Sequence, residues 1–95
     1  MLAKVFYRDI LYIEAAQGYV KYHLKDKTIL TNGTLKKIEE KLNPLIFIRV
    51  HRSYLVNINM ITAYHTETIT VQSTLIPLSR LYRKEVSSKL NNLTI

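Results

Sequence analysis

Cysteine is absent from the 95 residues, which removes any disulfide scaffold and any thiolate metal site and leans toward a reducing compartment. Glycine occurs only at Gly18 and Gly33, so no glycine-rich loop can wrap a phosphate or a dinucleotide. No apolar run approaches the roughly 20 residues that span a bilayer. The N-terminus also lacks the positive-then-apolar pattern of a signal peptide. Cytoplasm is therefore the expected location, with no membrane partner. Acids are scarce as well. Glu39, Glu40 and Glu85 fall on predicted helix surfaces and Asp26 and Glu67 in predicted turns, which leaves no carboxylate pair for acid–base work. His23, His51 and His65 lie far apart, without the paired spacing of a metal site. The expectation is a protein that is not an enzyme, with no catalytic residue, no metal and no cofactor.

What the chain has in excess is positive charge. Fourteen Lys and Arg against seven Asp and Glu leave a net charge of +7. That balance favours a polyanionic partner such as nucleic acid, acidic lipid or an acidic protein surface. A chain this short buries only about two-thirds of its surface on folding, so one domain is expected over residues 1–95.

Most of the sequence reads as short strands rich in Ile, Val, Thr and Tyr. The predicted strands are Lys4–Tyr7, Ile10–Glu14, Tyr19–Leu24, Thr28–Thr31, Phe47–Val50, Tyr54–Asn57, Ile61–His65, Thr68–Gln72 and Leu75–Leu78. Their close spacing implies antiparallel hairpins rather than parallel crossovers. In "TLKKIEEKLNP", Leu35, Ile38 and Leu42 recur at helical spacing; Thr34 can cap the start, and Asn43 and Pro44 stop the helix. A second, weaker stripe of Tyr82, Val86 and Leu90 predicts a C-terminal helix with Ser79 as its N-cap. The fold expected is mainly β, with one short internal helix and one short C-terminal helix.

The placement of the cations separates them. Lys25, Lys27, Lys36, Lys37 and Lys41 sit in a turn or on a helix face, where solvation explains them, and Lys4, Arg8, Lys21, Arg49 and Lys89 are compatible with sheet-edge protection. Arg52, in "FIRVHRSYLVN", is different. Strand alternation puts it in the series of Ile48 and Val50, and burying an unpaired guanidinium is prohibitive. A bend or bulge at His51-Arg52-Ser53 resolves the conflict by throwing Arg52 outward between two packed strands. Arg80, Arg83 and Lys84 would crowd the start of a helix capped by Ser79, where exposed cations are disfavoured by roughly 0.3–1 kcal/mol each. A bound anion reverses that sign.

"FIRVHRSYLVNINMI" followed by "IPLSRLYRKEV" resembles the LytTR-type DNA-binding domain, the output module of the LytR/AlgR class of bacterial response regulators. "DILYIEAAQGYVKYHL" and "TLKKIEEKL" resemble the same family's opening strands and middle, so the likeness runs through nearly the whole chain. It implies an elongated stack of small antiparallel sheets that reads duplex DNA through loops. It also implies base contacts from Tyr19, Arg52 and Arg80 and phosphate contacts from Gly18, Lys21, His51, Arg83 and Lys84. The first loop departs from the family in reading "QGYV", where relatives often carry asparagine before the tyrosine. The likeness further implies promoter DNA with tandem repeats as partner and a receiver domain in the full-length protein. No receiver lies within these residues, which makes the chain either an excised fragment or a free-standing regulator. The isolated domain is expected to be monomeric. A different class, a single-stranded nucleic-acid module stacking bases on some of the seven tyrosines, is the competing reading.

Overall fold

The computed structural model describes residues 4–91. Alternating apolar positions in the first half build an antiparallel meander of β1 (Ile10–Ala16), β2 (Tyr19–Leu24) and β3 (Thr28–Asn32). Ala16 pairs with Tyr19, leaving Gln17 and Gly18 as a two-residue hairpin loop. Both loop residues have positive φ, 36° and 87°, the pattern of a type I′ turn whose twist matches the flanking strands. Helix α1 (Leu35–Lys41) follows. Its start is fixed by the Lys37 amide donating to Thr34 Oγ1 at 3.3 Å, as the sequence predicts. Next come β4 (Phe47–His51) and β5 (Tyr54–Asn57), and β5 inserts beside β1 to give a five-stranded sheet of order β3-β2-β1-β5-β4. β6 (Ile61–Tyr64), β7 (Thr68–Val71) and β8 (Thr74–Pro77) form a separate three-stranded antiparallel sheet, and α2 (Arg83–Asn91) closes the described chain.

The two faces of the larger sheet serve two cores. Ile13, Val20, Phe47 and Leu55 pack with Leu35 and Leu42 under α1. Ile48, Val50 and Val56, on the opposite face, pack with Ile69, Val71 and Ile76 of the smaller sheet and with Val86 and Leu90 of α2. Strand alternation thus divides one sheet between a helix and a second sheet, stretching the molecule to 42 × 23 × 23 Å. The elongated, mainly β architecture with a short internal and a C-terminal helix is the one expected.

Two local expectations are corrected. Lys4–Tyr7 is not a strand: β1, which follows it, already has β2 and β5 on its two sides, so the segment finds no partner there and ends in a 3-10 turn at Tyr7–Asp9. Its cations lie over Phe6 instead, Lys4 at 5.3 Å and Arg8 at 4.9 Å from the ring centre. Ser79 does not cap α2 with its side chain; a 3-10 turn at Arg80–Tyr82 intervenes and the helix begins at Arg83.

Asn57 is fully buried at the end of β5, and its amide is satisfied on both sides. Nδ2 donates to the Ile10 carbonyl at 2.8 Å, and Oδ1 accepts from the Asn59 amide at 3.0 Å. The side chain ties the start of β1 to the exit of β5. Asn57→Ala would strand the Ile10 carbonyl in the interior, so it is expected to lower unfolding free energy by about 1–3 kcal/mol, measured by urea titration.

Candidate nucleic-acid interface

Three basic side chains interrupt the apolar β4–β5 hairpin, and they do different jobs. Arg49 pairs across the sheet with Leu55 and so faces α1. From there its Nε donates to the His51 carbonyl at 2.8 Å, one terminal nitrogen donates to the Arg52 carbonyl at 2.6 Å, and the other reaches Glu39 of α1. One guanidinium therefore holds both carbonyls of the turn. His51 Nδ1 accepts the Ser53 amide proton at 3.1 Å, which places the ring proton of the neutral tautomer on Nε2. The register slips at Val50, between Arg49 and His51, while His51 pairs with Tyr54; the expected bend at His51-Arg52-Ser53 is therefore the tight β4–β5 turn, from which Arg52 projects into solvent. Sequence alone leaves Arg49 among the cations compatible with sheet-edge protection. The missed signal was its place on the α1 face, where a guanidinium needs an acid, and Glu39 flanks the Leu35–Leu42 stripe.

Main-chain bonds join this turn to its neighbours. The Ser53 carbonyl accepts from the Ala15 amide at 2.9 Å, fixing the turn beside the β1–β2 loop that carries Gly18 and Tyr19. The Val50 carbonyl, freed by the bulge, accepts from the Ser79 amide at 2.9 Å and fixes the residue preceding Arg80. The β6–β7 turn joins the same end through the Leu78 amide, which donates to the Glu67 carbonyl at 2.9 Å. Gly18, Tyr19, His51, Arg52 and Arg80 consequently belong to three loops gathered at one end of the domain. A cleft of about 460 Å³, lined by Lys4, Phe6, Leu24 and the β2–β3 turn, lies at the other end.

Within the first loop Gly18 is exposed and Tyr19 is 53% exposed, while Lys21, two residues along β2, is half-buried opposite Glu14. Glu14 is occupied by His23 Nε2 at 2.9 Å and by the Tyr54 hydroxyl at 3.3 Å. Burial first, and then the charge of Glu14, push the Tyr54 phenol above its ordinary value, so it stays a neutral donor.

The third loop differs from expectation in detail. Arg80 precedes α2 rather than lying in its first turn, and only Arg83 and Lys84 face the positive end of the helix dipole. Arg83 is half-buried, its terminal nitrogen is 3.7 Å from Glu67, and its Nε is buried without a hydrogen-bond partner. Lys84 is exposed. Arg52 and Arg80 have no carboxylate partner among the described residues, where the ion pairs are His23–Glu14, Arg49–Glu39 and Arg83–Glu67.

Lysine in place of Arg49 keeps the charge but cannot present the planar fork that spans two carbonyls and a carboxylate. Arg49→Lys is expected to cost about 1–3 kcal/mol of stability, and to speed amide exchange at Ser53 and Ala15 more than elsewhere. Hydrogen-exchange NMR with a parallel urea titration measures both.

Comparison with known proteins gives this arrangement a context. The family described as "LytTr DNA-binding domain" matches residues 2–91. The sensory transduction protein LytT of Bacillus subtilis is 37% identical over 90 residues, covering 88% of this chain and 37% of that protein. LytT of Bacillus cereus is 35% identical over 88 residues, covering 86% of this chain and 36% of that protein. This chain thus spans about a third of the length of those relatives. Among solved structures, the LytTr DNA-binding domain of a protein described as a methyl-accepting/DNA response regulator from Bacillus cereus superposes with a TM-score of 0.82 at 26% identity, covering 90% of this chain and 84% of that one. With the sequence pattern matched across residues 2–91 and the same fold of two small antiparallel sheets, this chain belongs to the LytTr DNA-binding domain family.

Proposed function

We propose that residues 1–95 form a single domain that binds duplex promoter DNA sequence-specifically, as the output module of a transcription regulator in a bacterial two-component system. Arg52 and Arg80 read base edges in major grooves with Tyr19 beside them, and Gly18, Lys21, His51, Arg83 and Lys84 hold phosphates. The observation that carries this reading is the pair of exposed guanidinium groups, Arg52 and Arg80, each without a carboxylate partner among the described residues and each on a loop fixed by main-chain bonds. Arginine so mounted suits the two acceptors of a guanine edge. With Nδ1 taken by the Ser53 amide, His51 can donate an Nε2 proton to a phosphate oxygen, and Arg83 can exchange the exposed Glu67 for one.

In the full-length protein a receiver domain would bring two copies onto tandem repeats in the cytoplasm, while the isolated domain is monomeric and binds weakly. The competing single-stranded reading draws on Tyr19 and Tyr7, the two tyrosines more than half exposed. They lie at opposite ends of β1, one before its start and one after its end, so they make no continuous stacking platform.

Selection from a random duplex library at near-physiological salt tests the proposal. It is expected to yield one motif, bound more tightly as duplex than as either separate strand. Against that motif Arg80→Ala should lose about 1–3 kcal/mol of discrimination, whereas Lys84→Ala should weaken all sequences alike. With about five phosphates engaged, log affinity should fall against log salt with a slope of roughly −4 to −5. Glu67→Gln, which frees Arg83, should tighten binding to every sequence.

A further inference from the structure

Leu81 is 82% exposed, the highest exposure of any large hydrophobic side chain in the described residues. Scattered exposed leucines are common and need no explanation by themselves. Leu45 and Leu75 are comparable at 80% and 68%, but they lie on the α1–β4 connection and on β8. Leu81 differs in its company. It sits in the 3-10 turn Arg80–Tyr82, with the unpaired Arg80 before it and Arg83 and Lys84 opening the helix after it.

Nor can this turn readily fold the leucine away. The Tyr82 amide donates to the Ser79 carbonyl at 3.0 Å, and the Ser79 amide is fixed to Val50 at 2.9 Å. Leu78 is buried on one side of the turn, and Tyr82 packs against the core shared by the two sheets on the other. The inward places are filled, and the turn directs Leu81 outward. In a 3-10 turn successive side chains point about 120° apart, so Leu81 presents a different direction from Arg80 while sharing its backbone.

We infer that Leu81 is a base-reading residue that packs against the 5-methyl group of a thymine beside the base pair contacted by Arg80. The inference rests on the DNA-binding reading above. Arg83 and Lys84 draw the turn against the phosphates that border a groove while Arg80 enters it, so the residue between them meets base edges. Those edges are polar in the major groove except for the thymine methyl, which apolar side chains contact. Placing Leu81 there removes apolar surface of both partners from water. Arg80 and Leu81 together then specify a guanine next to a thymine rather than a guanine alone.

The test replaces the thymines of the selected duplex with deoxyuridine, one at a time, which removes the methyl and keeps the pairing. One substitution is expected to weaken the wild-type 95-residue chain about fourfold, the worth of one buried methyl-sized group. Leu81→Ala should bind the thymine and uracil duplexes alike, and Leu81→Met should retain the difference. Because the side chain is exposed, both variants should fold, as circular dichroism can verify. A Leu81→Ala protein that keeps the uracil penalty, or a wild type indifferent to every uracil, overturns the assignment. If Arg80→Ala still loses discrimination in that case, the DNA-binding reading stands without Leu81. A wild type that fails to prefer the selected duplex over a scrambled one sinks both.

Discussion

The geometry of the arginine end depends on the guanidinium of Arg49. A bulged strand leaves main-chain carbonyls without ladder partners, and a tight turn has few ways to satisfy them. Arg49 takes two of those carbonyls in its fork and turns its remaining edge to Glu39. The carboxylate is 43% exposed, so the ion pair itself adds little to stability. Its use is directional, since it aims the fork at the carbonyls and couples the position of α1 to the turn. Charge-assisted bonds to the backbone do the holding. Arg52 can then stand in solvent without collapsing onto the sheet.

The rest of the frame follows from how one sheet is shared. Alternation sends Ile48, Val50 and Val56 to the smaller sheet and Leu55 and Phe47 to α1. The smaller sheet and α1 are thereby both anchored to the same two strands, β4 and β5. The β1–β2 loop meets the β4–β5 turn because β5 is inserted beside β1. The chain leaving β8 meets that turn because the bulge exposes the Val50 carbonyl to Ser79. Convergence of the loops is thus a property of topology plus one irregularity.

Much of this was legible in the residues. The strand sequences other than Lys4–Tyr7, the Thr34 cap and the outward projection of Arg52 follow from periodicity and from the cost of burying a lone charge. Lys4–Tyr7 failed because β propensity does not show which strand edges are already taken. Ser79 failed as a cap because the Tyr82 amide, which its side chain would have taken, is bonded instead to its own carbonyl in a 3-10 turn. Arg49 was hidden for a related reason: its role depends on a helix ten residues earlier in the chain, and only the assembled fold brings Glu39 to it. Local pattern therefore identified Arg52 and Arg80 as staying free, and tertiary contact identified the two that are engaged, Arg49 by Glu39 and Arg83 by Glu67.

The struts between the loops, Ala15 to Ser53 and Ser79 to Val50, run from peptide to peptide. Backbone groups are the same whatever side chain is attached, so these struts are indifferent to the identities at positions 52, 80 and 81. A scaffold of this kind separates holding from reading. On the proposed reading, new operator preferences would arise by exchanging a few solvent-facing side chains, with no rebuilding of the frame beneath them.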